Sequence, residues 1–376
     1  MKTWLIILAS ALIGGSVIWY AGGDTDDAPP HPAAVLRQPA ILQTVPATQP
    51  AVVPAAPAPP QVVQRGDNTV YRYSGPYTHA NLTIYLAHGE DTLQGTFLTL
   101  QEALEQKKAV VYETGNVNEL AIENLSPQEE IFVQAGDIVK GGRQDRVIAT
   151  DFIVPRRSGR MPIGSFCVEH GRWSQRGQEA SAHFSSSTEQ APGKSLKLAA
   201  KQRAAQSEVW KEVAANQTKL AQSLNSEVKS RESESSFVLT LENKVVRETA
   251  DDYIKALSGV TSGFSDTIGF VFAINGQANN ADIYGNHELF VKLWPKLLKS
   301  AAIEAIAERD RNRNYSPVPV EEARKLVEER ESVAPKEKAV SPRVKVLTKE
   351  RNESILFETS DGERNGTSVH KNYIKK

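Results

Sequence analysis

Apolar positions change their spacing along this chain, and the changes divide it. Residues 4–21, WLIILASALIGGSVIWYA, run without a charge. Ten of the twenty prolines then fall within residues 24–66, among Ala, Val and Gln. From Val70 to Val168 the apolar residues come in short runs. Leu82-Thr83-Ile84-Tyr85-Leu86 alternates, and Ala109 to Tyr112, Leu120 to Asn124, Glu130 to Val133, Val147 to Val154 and Ile163 to Val168 each read as a strand. A helix-like turn covers Leu100 to Gln106. From Ala199 to about Val228 the period becomes helical, with Val209, Val213, Leu220, Leu224 and Val228 mostly four and seven apart. A second helix is predicted at Tyr253, Ile254 and Leu257, capped by Thr249 to Asp252 and ended by Gly259. Ile268 to Ile274 is a buried strand, and Asn275-Gly276 predicts a hairpin after it. Another helix follows Asn286, with Phe290, Leu293, Trp294, Leu297 and Ala301 on its apolar stripe and Pro295 perturbing it. Residues 309–343 are mostly charged, with a short surface helix near Val320 to Glu331. Val344 to Leu347, Ile355 to Glu358 and Ser368 to Ile374 read as terminal strands that extend a sheet.

The predicted fold class is therefore α+β. A β-rich N-terminal half, a sandwich or half-open barrel, packs against a helical C-terminal half. The divisions are 1–23 anchor or signal, 24–66 linker, 67–308 globular domain, 309–343 charged linker and 344–376 terminal strands completing the domain.

The first apolar run is at the short end of a membrane span, since about 20 residues cross ~30 Å of hydrocarbon. Lys2 before it and Asp24, Asp26 and Asp27 after it fit an N-in orientation. A cleaved secretory signal is the rival reading, although Trp19 and Tyr20 make a poor cleavage site before Ala21. The expected location is membrane-anchored with the globular domain extracytoplasmic, periplasmic or at the cell surface, or else secreted after cleavage. The proline-rich stretch reads as an extended spacer, with peptide recognition as its alternative.

Composition narrows the chemistry. Hydrophobic residues at 40% and charged residues at 24% exclude a wholly disordered chain. Lys and Arg number 44 against 45 Asp and Glu, so nucleic acid is not an expected partner. One cysteine excludes an internal disulfide framework. The seven histidines show no metal-ligand spacing, so no metal site is expected. No cofactor motif appears either. Gly141-Gly142-Arg143-Gln144-Asp145-Arg146 lacks the Lys-Ser/Thr of a P-loop and does not match a dinucleotide fingerprint.

That segment is nonetheless the leading site candidate. Its glycine N–H groups can cradle an anion, and Arg143 and Arg146 can pair with phosphate or carboxylate. The structural alternative is a turn whose arginines bridge to Asp145 or Glu169. Cys167-Val168-Glu169-His170-Gly171-Arg172-Trp173 comes next. Cys167 and Glu169 share a strand face, with Cys167 read as core, and Arg172 with Trp173 offers a stacking platform. Asp282 is placed at a strand-to-helix junction, where it caps or orients a hydroxyl. Trp210 and Trp294 are read as core.

These segments, with Gln206 to Trp210, Gly269 to Gly276, Ala281 to Gly285 and Leu293-Trp294 in the same order, resemble the ARPP domain family, the ARG and Rhodanese-Phosphatase-superfamily-associated Protein domain. The resemblance covers roughly Ser74 to Ala307. It implies a nucleotide- or ADP-ribose-like anionic small molecule as ligand, with no established reaction. The leading expectation is a tethered binding or sensing domain holding that ligand through Gly141, Gly142, Arg143, Gln144, Arg146, Arg172 and Trp173. One alternative is a hydrolase of a phosphorylated or glycosylated nucleotide-like substrate, with Glu169 or Asp282 as general acid or base. The other is an envelope scaffold that presents a surface to a partner protein.

Overall fold

The strands with the most continuous apolar character, β2 (Leu82–His88) and β12 (Thr267–Ile274), are buried at every position. They lie side by side inside an eight-stranded sheet, β1-β2-β12-β13-β17-β16-β15-β14. Its other members are β1 (Arg72–His79), β13 (Gln277–Tyr284), β14 (Lys336–Ala339), β15 (Val344–Glu350), β16 (Ser354–Asp361) and β17 (Thr367–Lys375). All neighbours pair antiparallel. The computed structural model describes residues 71–328 and 333–376.

Both faces of the sheet are covered, and period-two alternation decides which residue meets which cover. Leu82, Ile84, Leu86, Phe270 and Phe272 pack with the larger helices: α3 (Gln206–Leu224), α5 (Lys244–Leu257) and α6 (His287–Ala307). Tyr85, Ala87, Val271 and Ile283 face the other way, against Ala323, Leu326 and Val327 of α7 (Val320–Glu328). Thus α7, expected as a surface helix in a linker, is amphipathic and buries one stripe on the sheet. Residues 336–339, also assigned to that linker, form the exposed edge strand β14.

The second layer is a closed six-stranded barrel, β10-β5-β4-β11-β7-β8. It uses β4 (Ala109–Glu113), β5 (Glu119–Asn124), β7 (Asp137–Gly141), β8 (Arg146–Ile148), β10 (Met161–Cys167) and β11 (His183–Gln190). Val111, Ile122, Val139, Ile148, Ile163 and Phe184 belong to its core. The barrel is closed rather than half-open, because β8 bonds β10 and leaves no free edge. A three-stranded sheet of β3 (Phe97–Thr99), β6 (Glu130–Val133) and β9 (Phe152–Val154) lies alongside, with α1 (Leu100–Glu105) following β3. The first hairpin, β1–β2, belongs to the large sheet and not to the barrel.

Three local expectations are corrected. The run Val147 to Val154 is not one strand, since it breaks at Ala149 to Asp151 between β8 and β9. The helix of Tyr253 starts earlier, capped by Asn243, whose side chain accepts from Val245 N. Thr249 sits mid-helix and returns its hydroxyl to Val245 O. The long helical stretch after Ala199 is divided, because α2 (Lys194–Leu198) runs into a π turn at Ala199–Arg203 before α3 begins. A short α4 (Phe237–Leu241) follows α3. By contrast, the Asn275-Gly276 turn joins β12 to β13, and Asn286 caps α6 through Leu289 N.

The apolar segment at 4–21 and the proline-rich stretch at 24–66 lie outside the described residues. Among the described residues, no helix is long and apolar enough to cross a membrane.

Candidate functional site

The two segments singled out in the sequence meet, and they meet on each other's polar groups. Gln144 Nε2 donates to Glu169 O at 2.9 Å, and Val168 N donates to Asp145 O at 3.0 Å. Arg172 Nε donates to Glu169 Oε2 at 2.7 Å and Nη1 reaches Gly142 O at 3.4 Å. Arg176, outside the motifs legible in the sequence, donates to Asp145 Oδ2 at 2.9 Å and Glu179 Oε1 at 2.8 Å.

The expected anion cradle is taken by the protein itself. Gly141 N donates to Asp145 Oδ1 at 3.0 Å and Gly142 N to Ala180 O at 3.0 Å. Arg146 is 1% exposed and spends its guanidinium on Val117 O, Cys167 Sγ and Glu113. Gly142 is glycine because a Cβ there would stand 2.3 Å from the Phe184 ring. Only Arg143 and Trp173 of the predicted set remain exposed, with Trp173 at 54%. The bridging alternative is met with other partners: Arg172 and Arg176, not Arg143 or Arg146, pair with Asp145 and Glu169, and Arg146 pairs with Glu113.

A different polar centre lies where the large sheet, the barrel and the α2–π segment come together. Asp282 is inside β13, not at the junction before Asn286. Across the ladder, Tyr284 pairs with His370 and Asp282 with Asn372. Alternation therefore turns Asp282, Tyr284, His370 and Asn372 to one face. Asp282 Oδ1 lies 3.0 Å from His370 Nε2 and accepts from Asn372 Nδ2 at 2.8 Å. The break after β8 delivers Asp151, whose Oδ2 lies 2.7 Å from His370 Nδ1 and accepts from Thr359 Oγ1 at 2.7 Å. Its Oδ1 accepts from Ala135 N at 2.8 Å. Tyr284 stacks flat on the imidazole, 4.5 Å between centroids. Lys201, carried by the π turn, donates to Asn372 Oδ1 at 2.8 Å. Such π segments are uncommon and recur at functional sites.

Beside this cluster is a cavity of about 10 Å³, room for about one water. Gln134, Gln190, Lys197, Lys201, Asp282 and Asn372 border it. Gln190 Oε1 is buried and has no hydrogen-bond partner among the described residues.

Burial and pairing shift the titration of these groups in opposite senses. Burial alone would lower the pKa of His370, but Asp151 and Asp282 outweigh it and raise the pKa. Burial likewise opposes ionisation of Asp151 and Asp282, and the His370 imidazolium with the nearby lysines overcomes it, so both carboxyls stay below their usual range. Burial lowers the pKa of Lys201, against the pull of Asp151 and Asp282. These directions favour a protonated His370 between two ionised carboxyls, whereas burial works against the charged form of Lys201. Glu169 lies in the arginine network and Asp282 here, and no partner is common to both. Among the described residues, no group of three or more His, Cys, Asp or Glu is arranged to hold a metal ion.

This centre was only partly visible in the sequence. Asp282 is a candidate from sequence, but His370 stands among histidines with no shared spacing and Asp151 lies inside a predicted strand. The available signal was polar residues alternating along apolar strands, Asn280 and Asp282 before Tyr284, then His370 and Asn372.

The fold and this centre define an α+β domain, part barrel and part sheet, whose last strand supplies the histidine of the buried centre. The chain belongs to the ARPP-1 family, the ARG and Rhodanese-Phosphatase-superfamily-associated Protein domain, which matches residues 70–374. No curated protein and no solved structure matches it.

Proposed function

We propose that this ARPP-1 domain binds a small anionic molecule at the mouth of the Lys197–Lys201 cavity. The observation that carries the reading is the placement of both lysines, from one short segment, on the border of a buried polar cavity. Ammonium groups hold phosphate or carboxylate as point charges without needing bidentate geometry. Gln190 adds an unused acceptor for a hydroxyl or amide of the ligand. The family's association with ADP-ribosylglycohydrolases points to nucleotide- or ADP-ribose-like molecules as the class to try first. The tether predicted at residues 4–21 would place this domain outside the membrane, and protease accessibility in intact cells tests that part.

Hydrolysis is the second reading, favoured by one observation: the cavity has room for about one water against Asp282. It stands second because the lowered pKa of Asp282 makes a weak general base. The test is a thermal-shift screen of the full chain with ADP-ribose, nucleotides and sugar phosphates, since binding to the native state raises Tm by mass action. A shift lost in Lys201→Ala and kept in Arg143→Ala supports the cavity. A shift lost in Arg143→Ala instead, or no shift with any anion, rejects it. Turnover of a hit that is abolished by Asp282→Asn would move the weight to hydrolysis.

A further inference from the structure

At the outer edge of the large sheet, Ser74 and His88 of the β1–β2 hairpin and the distant Asp266 form a chain of hydrogen bonds. Ser74 Oγ lies 2.7 Å from His88 Nε2, and His88 Nδ1 lies 2.8 Å from Asp266 Oδ1. Asp266 also holds the guanidinium of Arg72. With a carboxylate at Nδ1, the neutral imidazole carries its proton there and leaves Nε2 to accept from the serine hydroxyl. This is the connectivity of a nucleophile, its base and the group that orients the base, and such triads are recognised by geometry rather than by sequence order.

Two features separate this corner from an ordinary polar latch. The β1–β2 ladder slips register directly after Ser74, and the β12–β2 ladder slips directly after Thr267, beside Asp266. Bulges re-aim side chains and cluster next to active sites. Two partly buried aromatic residues also flank the triad. Ser74 is 3% exposed, and Tyr77, a half-buried residue of the edge strand β1, donates its hydroxyl to Ser74 Oγ at 3.2 Å. The half-buried Phe264 packs edge-on against His88, with 4.9 Å between ring centroids.

We propose that Ser74, His88 and Asp266 form a serine-nucleophile site for a small ester with an apolar acyl group, separate from the Lys201 cavity. Ser74 Oγ attacks the carbonyl carbon while its proton passes to His88 Nε2. The bond from carbon to the leaving alcohol breaks, and His88 returns the proton to that oxygen. Water then attacks the acyl-serine with His88 taking its proton, and Ser74 is regenerated with release of the carboxylic acid. Asp266 is a positioning residue that holds the ring. Tyr77, whose hydroxyl caps Ser74 Oγ, turns aside to admit the acyl group.

A fluorophosphonate probe with a short alkyl chain tests this on the full chain, with the labelled residue mapped by peptide mass spectrometry. Wild type and Tyr77→Leu are labelled in parallel, with folding checked by circular dichroism. The expected result is modification of Ser74, faster in Tyr77→Leu, absent in Ser74→Ala, and slowed at least about 100-fold by His88→Gln. Asp266→Asn should slow labelling strongly and Asp266→Glu should recover part of the rate, a rescue that a purely structural bond does not give. No modification of Ser74 in either wild type or a folded Tyr77→Leu overturns the proposal. So does labelling that is indifferent to His88→Gln, because the serine would then have no base. Either result leaves the chain of bonds as a strap fixing β1 to the sheet.

Discussion

Asp151 and Asp282 grip opposite ring nitrogens of one histidine, His370, at 2.7 and 3.0 Å. Asp151 comes from the barrel side and Asp282 from the sheet, so the imidazolium ties the two layers together at a fully buried point. The gain depends on ionisation, which gives it a pH window. The raised His370 pKa contributes stability that is fully present below its ordinary 6.5 and lost as pH rises through the folded value. The lowered Asp151 and Asp282 pKa values contribute stability present above their ordinary 3.8 and lost as pH falls through the folded values. The contribution should therefore be greatest between those two ordinary values. Denaturant midpoints of wild type and His370→Gln, compared from acid to alkaline pH, should differ most inside that window. A difference that grows steadily above neutrality would contradict the charge assignment.

His370→Ala leaves two carboxylates facing each other without their cation. Removing one partner of a buried ion pair costs about 3–5 kcal/mol, because the other charge stays buried and uncompensated. Asp282→Asn in the same background should return part of that loss, since one of the orphaned charges disappears. A double-mutant cycle from equilibrium unfolding reads this directly. Strict additivity would mean that the three groups are not coupled.

The arginines of the Gly141–Arg146 segment should separate cleanly. Arg143 is exposed, and Arg143→Ala should change stability by no more than about 0.5 kcal/mol. Arg146 is 1% exposed and holds Glu113, so Arg146→Ala should cost about 3–5 kcal/mol. Equal effects in thermal or chemical unfolding would show that the segment is not packed as described.

The period of the apolar residues made many of the elements legible. Leu82 to Leu86 and Ile268 to Ile274 are strands, and Asn286 starts a helix, because local rules and tertiary burial agree there. What stayed hidden was non-local. Nothing in Val147 to Val154 signals that the chain must turn at Asp151 to reach His370, since the partner that rewards the turn lies near the C-terminus. Barrel closure depends on the pairing of β8 with β10, a contact that strand patterns do not encode. The arginines misled for a related reason. Arg146 and Arg172 have the chemistry of an anion site, but Glu113, Asp145 and Glu169 supply the anions. Charge identity is in the sequence, whereas charge pairing is set by the fold.

Gly269 carries a packing requirement that bears on the central cluster. A Cβ there would lie 2.3 Å from the carbonyl oxygen of Asp282 and 2.8 Å from Ile283 Cα, both backbone atoms of the neighbouring strand. Backbone cannot yield as a flexible side chain can. Gly269→Ala should push β13 away from β12 and cost about 1–3 kcal/mol or more by overpacking. It should also displace Asp282, so the NMR signals of the His370 ring should move. A variant with unchanged Tm and unchanged imidazole signals would refute the contact.

The lone cysteine offers a reporter of opening. Cys167 is fully buried, and burial pushes its thiol up to about 11, although Arg146 Nη1 stands 2.7 Å from Sγ and pulls the other way. Only the thiolate reacts readily, so the native chain should resist a disulfide reagent near neutral pH. The chain has a single cysteine, so full unfolding should release one equivalent of thiol. The rate at low denaturant then reports the free energy of local opening around the β8–β10 seam, where Arg146 pairs with Cys167. Arg146→Ala should accelerate the reaction by loosening that seam, even though it removes the charge that favours the thiolate. Two opposing effects are thus set against each other, and the expected winner is access. A slower reaction in Arg146→Ala would mean that the guanidinium activates the thiol and that the seam opens freely without it.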